Sequence, residues 1–215
     1  MGAIARNIAN NITTSGVFTS SAIANSSVTG ITVLANASDG ITLISSQTAS
    51  ASASISFTTG INSTYKAYKF VWINCHPSTD ANFTFNLSTD SGSNYNATKT
   101  TTVFIASHQE NDASTSFQYR TGEDLAQSTA FQRLTNYDID TDNDSATSGS
   151  LTLFNPSSTT YVKHFISNCN QSNFGYSVNT FVAGYANTTS AVNAIQFKMS
   201  SGNIDAGTIY MYGIK

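Results

Sequence analysis

The sequence predicts an all-β protein, an antiparallel two-sheet β-sandwich of jelly-roll type, preceded by an extended N-terminal arm. Three observations lead there. Apolar residues recur with period two through roughly ten short runs, each bounded by Gly, Ser, Asn or Asp. Aromatic residues make up 11% of the chain and Thr is abundant, which favours strands, while charged residues are only 10%. The hydrophobic content of 40% over 215 residues is enough for a buried core and argues against disorder.

Residues 1–40 read as a docking arm and 41–215 as the sandwich. Ile4, Ile8 and Ile12 fall at i, i+4 and i+8, the spacing of one helix face, so a short helix is expected over 2–11, ended by Asn10-Asn11. Val17 and Phe18 are isolated apolar residues in a Ser/Thr/Asn background, too sparse for a core helix and suited to an arm laid on a neighbour. The first strands of the body are expected over Ile41–Gln47 and Ser52–Thr58. Tyr65–Cys75 follows, with Tyr68, Phe70 and Trp72 on one face and Val71, Ile73 and Cys75 on the other. Two apolar faces imply a strand covered on both sides or one that meets another subunit. Asn82–Thr89 alternates, with Phe83, Phe85 and Leu87 inward and Thr84, Asn86 and Ser88 outward, and Asp90–Asn94 makes a turn. A long strand is expected over Tyr95–Ser107. His108–Thr147 is the least regular region. In it Phe117 and Tyr119 mark a short strand, and Glu123–Leu134 has helix-favouring content weakened by Ser128 and Thr129. Strands resume at Ser150–Phe154, Tyr161–Ser167 and Tyr176–Tyr185. Two final runs place Ile195, Phe197 and Met199, then Ile209 and Met211, on buried faces.

A net charge of −3 with nine scattered Lys and Arg argues against a nucleic-acid binder. No apolar run reaches membrane-spanning length, and Asn7, Asn10 and Asn11 interrupt any secretory signal, so synthesis in a cytosol is expected. Cys75 and Cys169, far apart in sequence, read as two buried free thiols, with a single bridge between them the open alternative. His76, His108 and His164 lack zinc spacing, and no nucleophile elbow, phosphate loop or His-Glu-x-x-His motif is present, so no enzyme is expected.

Two candidate sites remain. Tyr119, Tyr137 and Tyr176 flank loops and could present rings to a sugar face, whereas Trp72, mid-strand, is expected in the core. Asp138, Asp140, Asp142 and Asp144 alternate, as oxygen ligands of a hard cation such as Ca²⁺ can. Counted from Asp138, the sixth and twelfth places of a calcium loop hold Asn143 and Gly149 rather than Gly and Glu, so a solvated acidic loop is the favoured reading and no cofactor is expected. Glu110, Asp112, Glu123 and Asp124 are the carboxyls by type for a glycan-cleaving pair, with nothing in their spacing to select two.

Several phrases carry a family resemblance: Met1–Gly16 with Val17–Ser21, His76–Asp80, Gly92–Asn96, Leu125–Thr129, Leu153–Ser158, Val162–Phe165, and Ser201–Ile209 with Tyr212-Gly213. In these the chain resembles virion structural proteins from tailed phages of marine bacteria, cyanophages above all. The resemblance implies a particle component, a tail fibre, tail tip or capsid decoration, made in the host cytoplasm and released by lysis. By analogy with displayed phage β-domains it implies a homotrimer. The expected partners are other virion proteins through Ile4, Ile8, Ile12, Val17 and Phe18, and a host surface glycan, with no nucleic acid and no membrane insertion. A glycan-binding receptor-recognition module is the alternative, and a glycan depolymerase the third.

Overall fold

The structure is a computed structural model that describes residues 40–215. The expected helix over 2–11 and the arm residues Ile4, Ile8, Ile12, Val17 and Phe18 lie outside the described residues. Twelve strands and no helix are present among the described residues. They are β1 (Ile41–Thr48), β2 (Ile55–Phe57), β3 (Ala67–Pro77), β4 (Phe83–Ser88), β5 (Lys99–Gln109) and β6 (Thr115–Tyr119), followed by β7 (Gln132–Arg133), β8 (Thr147–Phe154), β9 (Lys163–Asn173), β10 (Tyr176–Ala186), β11 (Ala194–Met199) and β12 (Ile204–Ile214). No helix among these residues is long and apolar enough to cross a membrane.

The strands form two antiparallel sheets, an eight-stranded one in the order β1-β12-β3-β8-β9-β10-β5-β6 and a four-stranded one in the order β2-β11-β4-β7. β1 pairs with β12, β2 with β11, β3 with β8 and β4 with β7. Strands paired from the outside of the chain inward, dealt alternately to two sheets, are the winding of a jelly roll. Two hairpins are inserted into it. β5–β6 enters between β4 and β7, and β9–β10 between β8 and β11; β10 pairs with β5, so together they widen one sheet only.

Period two decides what is buried. Tyr68, Phe70 and Trp72 of β3 face Phe83, Phe85 and Leu87 of β4 and Ile195 and Phe197 of β11, all fully buried. Phe197 is the hub: its ring stacks on Phe83 at 5.7 Å and lies 5.6 Å from Phe70 and 6.4 Å from Trp72. Burial of one such ring contributes about 1.5–3 kcal/mol, and aromatic pairing adds about 0.5–1.5 kcal/mol. The two last runs bury Phe197, Ile209 and Met211 as alternation requires, but in different sheets, and β12 ends locked between β1 and β3.

Four expectations are corrected. Cys75 is buried on the inner face rather than sharing the outer one with Val71 and Ile73, because the ladder slips between Trp72 and Cys75, where Asn74 takes a φ of 49°. One extra residue in a strand inverts the parity of everything after it. Thr84, Asn86 and Ser88 are buried as well: Asn86 Nδ2 donates to the carbonyls of Tyr95 and Thr129, loops that cover this face of β4. Glu123–Leu134 is not helical. Its backbone is committed elsewhere, with Leu125 O accepting Thr101 N–H, Ser128 and Lys99 exchanging both bonds, and Gln132 laddered to Phe85. The strand expected from Tyr95 begins only at Lys99.

Lys99 and Lys163 are fully buried on either side of Ala186, which pairs with both. Lys99 Nζ donates to Asn86 Oδ1 at 2.5 Å and to Ala97 O at 2.9 Å; Lys163 Nζ donates to Tyr161 O and Thr188 O. Neither amine has a carboxylate partner among these contacts. Burial pushes Lys99 down to about 7 and Lys163 in the same direction. Cys75 and Cys169 are free and buried, and burial raises both thiols to about 12.

Candidate functional site

Eight strands cannot be matched by four. The inner face of the inserted hairpins is therefore covered by chain from the β7–β8 loop, where Leu134 O accepts Cys169 Sγ–H, Asn136 N–H donates to Gln171 Oε1 and Gln171 Nε2 donates to Tyr137 O. A loop covers a sheet less completely than strands do. What it leaves open is a cleft of about 440 Å³ lined by Ser107 of β5, Ser116 and Gln118 of β6, Tyr137 of the loop, and Phe174 and Tyr176 at the β9–β10 turn. A second recess of about 380 Å³ adjoins it, sharing Tyr137, Asn173 and Phe174 and adding Arg120, Glu123, Arg133 and Asp138. Volumes of this order are those of small-molecule sites, roughly 300–1,000 Å³.

The rings at the mouth are held in unusual backbone. β9 and β10 are joined by two residues only, Phe174 and Gly175, with Asn173 paired to Tyr176. Their φ values of 42° and 78° are those of a type I′ hairpin turn, which matches the twist of the strands and favours Asn-Gly. A phenylalanine in the first place is sterically unfavourable, and its ring stands 64% exposed. Tyr137 also has a positive φ, 65°, with its ring 43% exposed and the Arg120 guanidinium 5.3 Å from the ring centroid. The turn is clamped to the acidic loop: Phe174 N–H donates to Asp140 Oδ2 at 3.0 Å, and Asn173 Nδ2 donates to Asp138 O.

That clamp places the four aspartates. Asp140 is buried, its other oxygen accepting Asp142 N–H at 3.0 Å. Burial pushes its carboxyl up, but the Ser145 side chain, the Phe174 and Asp142 N–H groups and His76 together outweigh that, so it is held below the usual carboxylate range. Asp138 accepts Asn82 Nδ2, and Asp142 and Asp144 are exposed. Among the described residues no three His, Cys, Asp or Glu side chains form a metal-ligating group.

Of the three tyrosines, Tyr137 and Tyr176 line one cleft, and Tyr119 does not. It lies on β6 between residues that alternate, so Ser116 and Gln118 face the cleft while Phe117 and Tyr119 face outward, across from Ala106 and Phe104. Its hydroxyl donates to Asp124 at 2.8 Å, a bond that raises the phenol. The four carboxyls weighed for glycan cleavage are dispersed: Glu123 pairs with Arg133 at 2.8 Å, Asp112 with His108, Asp124 with Tyr119, and Glu110 sits beside Gly175. Sequence reading missed Phe174. The signal was there, a Phe-Gly pair between two alternating runs where Asn-Gly is the expected turn. Comparison with protein-family models, with curated proteins and with solved structures finds no match.

Proposed function

We propose that this chain is a phage virion structural protein whose displayed β-sandwich takes a host-surface saccharide into the Tyr137–Phe174–Tyr176 cleft. The observation that carries the saccharide reading is the pair of exposed rings, Tyr137 and Phe174, held by left-handed backbone over a polar cavity. The C–H face of a sugar stacks on such rings, and its hydroxyls need neutral donors and acceptors at the same time. Ser107, Ser114, Ser116, Gln118 and Asn173 supply them without a net charge to desolvate. The adjoining recess carries compensated charge, with Arg133 already paired to Glu123. The virion reading is supported by the sequence resemblance and by a surface poor in charge, suited to contacts that salt does not screen.

A glycan array of host polysaccharides, followed by titration of the hits, tests the saccharide reading. The expected result is binding that falls at least about tenfold, ~1.4 kcal/mol, in Phe174→Ala and in Tyr137→Ala, with Tyr119→Ala unchanged. An array silent for the full chain, or hits indifferent to both ring deletions, would reject the cleft. Detection of the chain in purified particles tests the virion reading separately.

A further inference from the structure

We infer that the chain self-associates through the outer face of the eight-stranded sheet, with a second copy of the same chain as the occupant. The registers fix what this face presents, because cross-strand partners point the same way. One row runs from Tyr210 through Val71, Ser150, Asn168 and Phe181 to Phe104, and continues to Tyr119. The next runs from Leu43 through Tyr212, Lys69, Thr152 and Ile166 to Ala183. These two rows carry one charged side chain, Lys69.

The apolar residues are concentrated here. Ten large hydrophobic side chains are exposed among the described residues, and seven of them, Ile41, Leu43, Ile73, Phe117, Tyr119, Phe154 and Ile166, lie on this face by register. Phe117 is 73% exposed although its ring packs on Phe104, which stacks in turn on Phe181 at 4.7 Å. Eight strands at ~4.8 Å spacing, most of 8 to 11 residues at ~3.4 Å each, give a face on the order of 1,000 Å². A stable protein–protein interface needs ~800 Å² from each partner.

The same face explains a choice left open by β3. Its outward Val71 and Ile73 are covered by no element of the described residues, Ile73 being 47% exposed, which fits contact with another subunit as the reading of its second apolar side. A second copy meets the face without charge conflict, since like charges are nearly absent from it, and its Ser150, Thr152, Asn168 and Asn170 offer self-complementary donors and acceptors between the apolar flanks. This inference does not rest on the saccharide reading, since Phe174 and Tyr137 lie on the other side of the sheet.

The test is the mass of the full chain in solution at ~1–100 µM, by light scattering and native mass spectrometry, for the wild type and for Leu43→Lys, Phe117→Lys and Ile166→Lys. The expected result is an oligomer, at least a twofold mass, that each of the three variants converts toward monomer, while Phe174→Lys, an exposed ring off this face, leaves it intact. Far-UV circular dichroism of each variant, unchanged from the wild type, separates dissociation from unfolding. A monomeric wild type at ~100 µM overturns the inference, whether residues 1–39 or another protein then covers the face. So does an oligomer that survives all three folded variants.

Discussion

Phe174 is where a single residue trades stability for a surface. The first place of a type I′ turn asks for Asn, and this chain puts an exposed ring there at a φ of 42°. Strain of this kind is retained where the residue has another use. Phe174→Asn should therefore stabilise the fold by ~1 kcal/mol, the scale of the left-handed backbone penalty that Asn largely escapes, while abolishing the proposed saccharide binding. Urea unfolding beside the array titration reads both. A variant that is less stable, or one that still binds, would show that the ring is held for packing instead. Lys99 is the opposite case, a residue the fold hides. Its depressed pKa, about 7 against an ordinary 10.5, means that the unfolded chain holds a proton the folded chain lacks between those values.

At the scale of elements, two features limit substitution. Phe197 joins the sheets through five aromatic neighbours, with Phe57 and Phe85 at 6.5 Å and Trp72 at 6.4 Å in addition to Phe70 and Phe83 in closer contact. Phe197→Ala should cost about 3–5 kcal/mol by lost transfer energy and the cavity left behind, seen as a lower denaturant midpoint with an unchanged m-value. Gly149 of β8 is constrained from the neighbouring strand. A Cβ there would meet Cys169 Cβ at 2.3 Å and Asn168 O at 2.6 Å, so the strands can keep their register only with no side chain at this place. The Asp90–Asn94 turn is tied locally: the Ser88 hydroxyl, the Asn94 amide side chain and Asn94 N–H all donate to the Asp90 carboxylate, which they lower to about 2.

For the whole molecule, pH separates the buried amines from the buried thiols. Because the folded-state value of Lys99 is lowered, its penalty is fully present below about 7 and is relieved as pH rises toward 10.5. The thiols run the other way: raised to about 12 from 9.0, they contribute stability that is intact below 9.0 and lost above it. Between pH 7 and 9 the buried amines act without the thiols, and Lys99 by itself should raise the unfolding free energy by about 2 kcal/mol, with Lys163 acting in the same direction. Lys99→Met should remove its share of that slope and leave the part due to Lys163, and a slope unchanged in Lys99→Met would assign the effect to other groups. Much of this architecture was legible beforehand. Phe83, Phe85 and Leu87, then Ile195, Phe197 and Met199, are buried as their alternation requires. The failures share one cause. Cys75, Asn86 and Glu123–Leu134 were each decided by contacts outside their own stretch, a slipped ladder, a covering loop or a borrowed hydrogen bond.

Local pattern was enough for the class of fold and the inward side of most strands, because alternation is a property of adjacent residues and needs no knowledge of what lies opposite. That two hairpins widen one sheet beyond the other emerges only from the long-range pairing of β10 with β5, and from that mismatch come both surfaces of interest. The narrower sheet leaves a cleft that loop residues finish, bringing Tyr137 to Phe174 and Tyr176, and the wider sheet turns a nearly charge-free face outward. Both depend on pairings between residues far apart in the chain, such as β10 with β5 and Asn173 with Asp138, which local pattern does not encode.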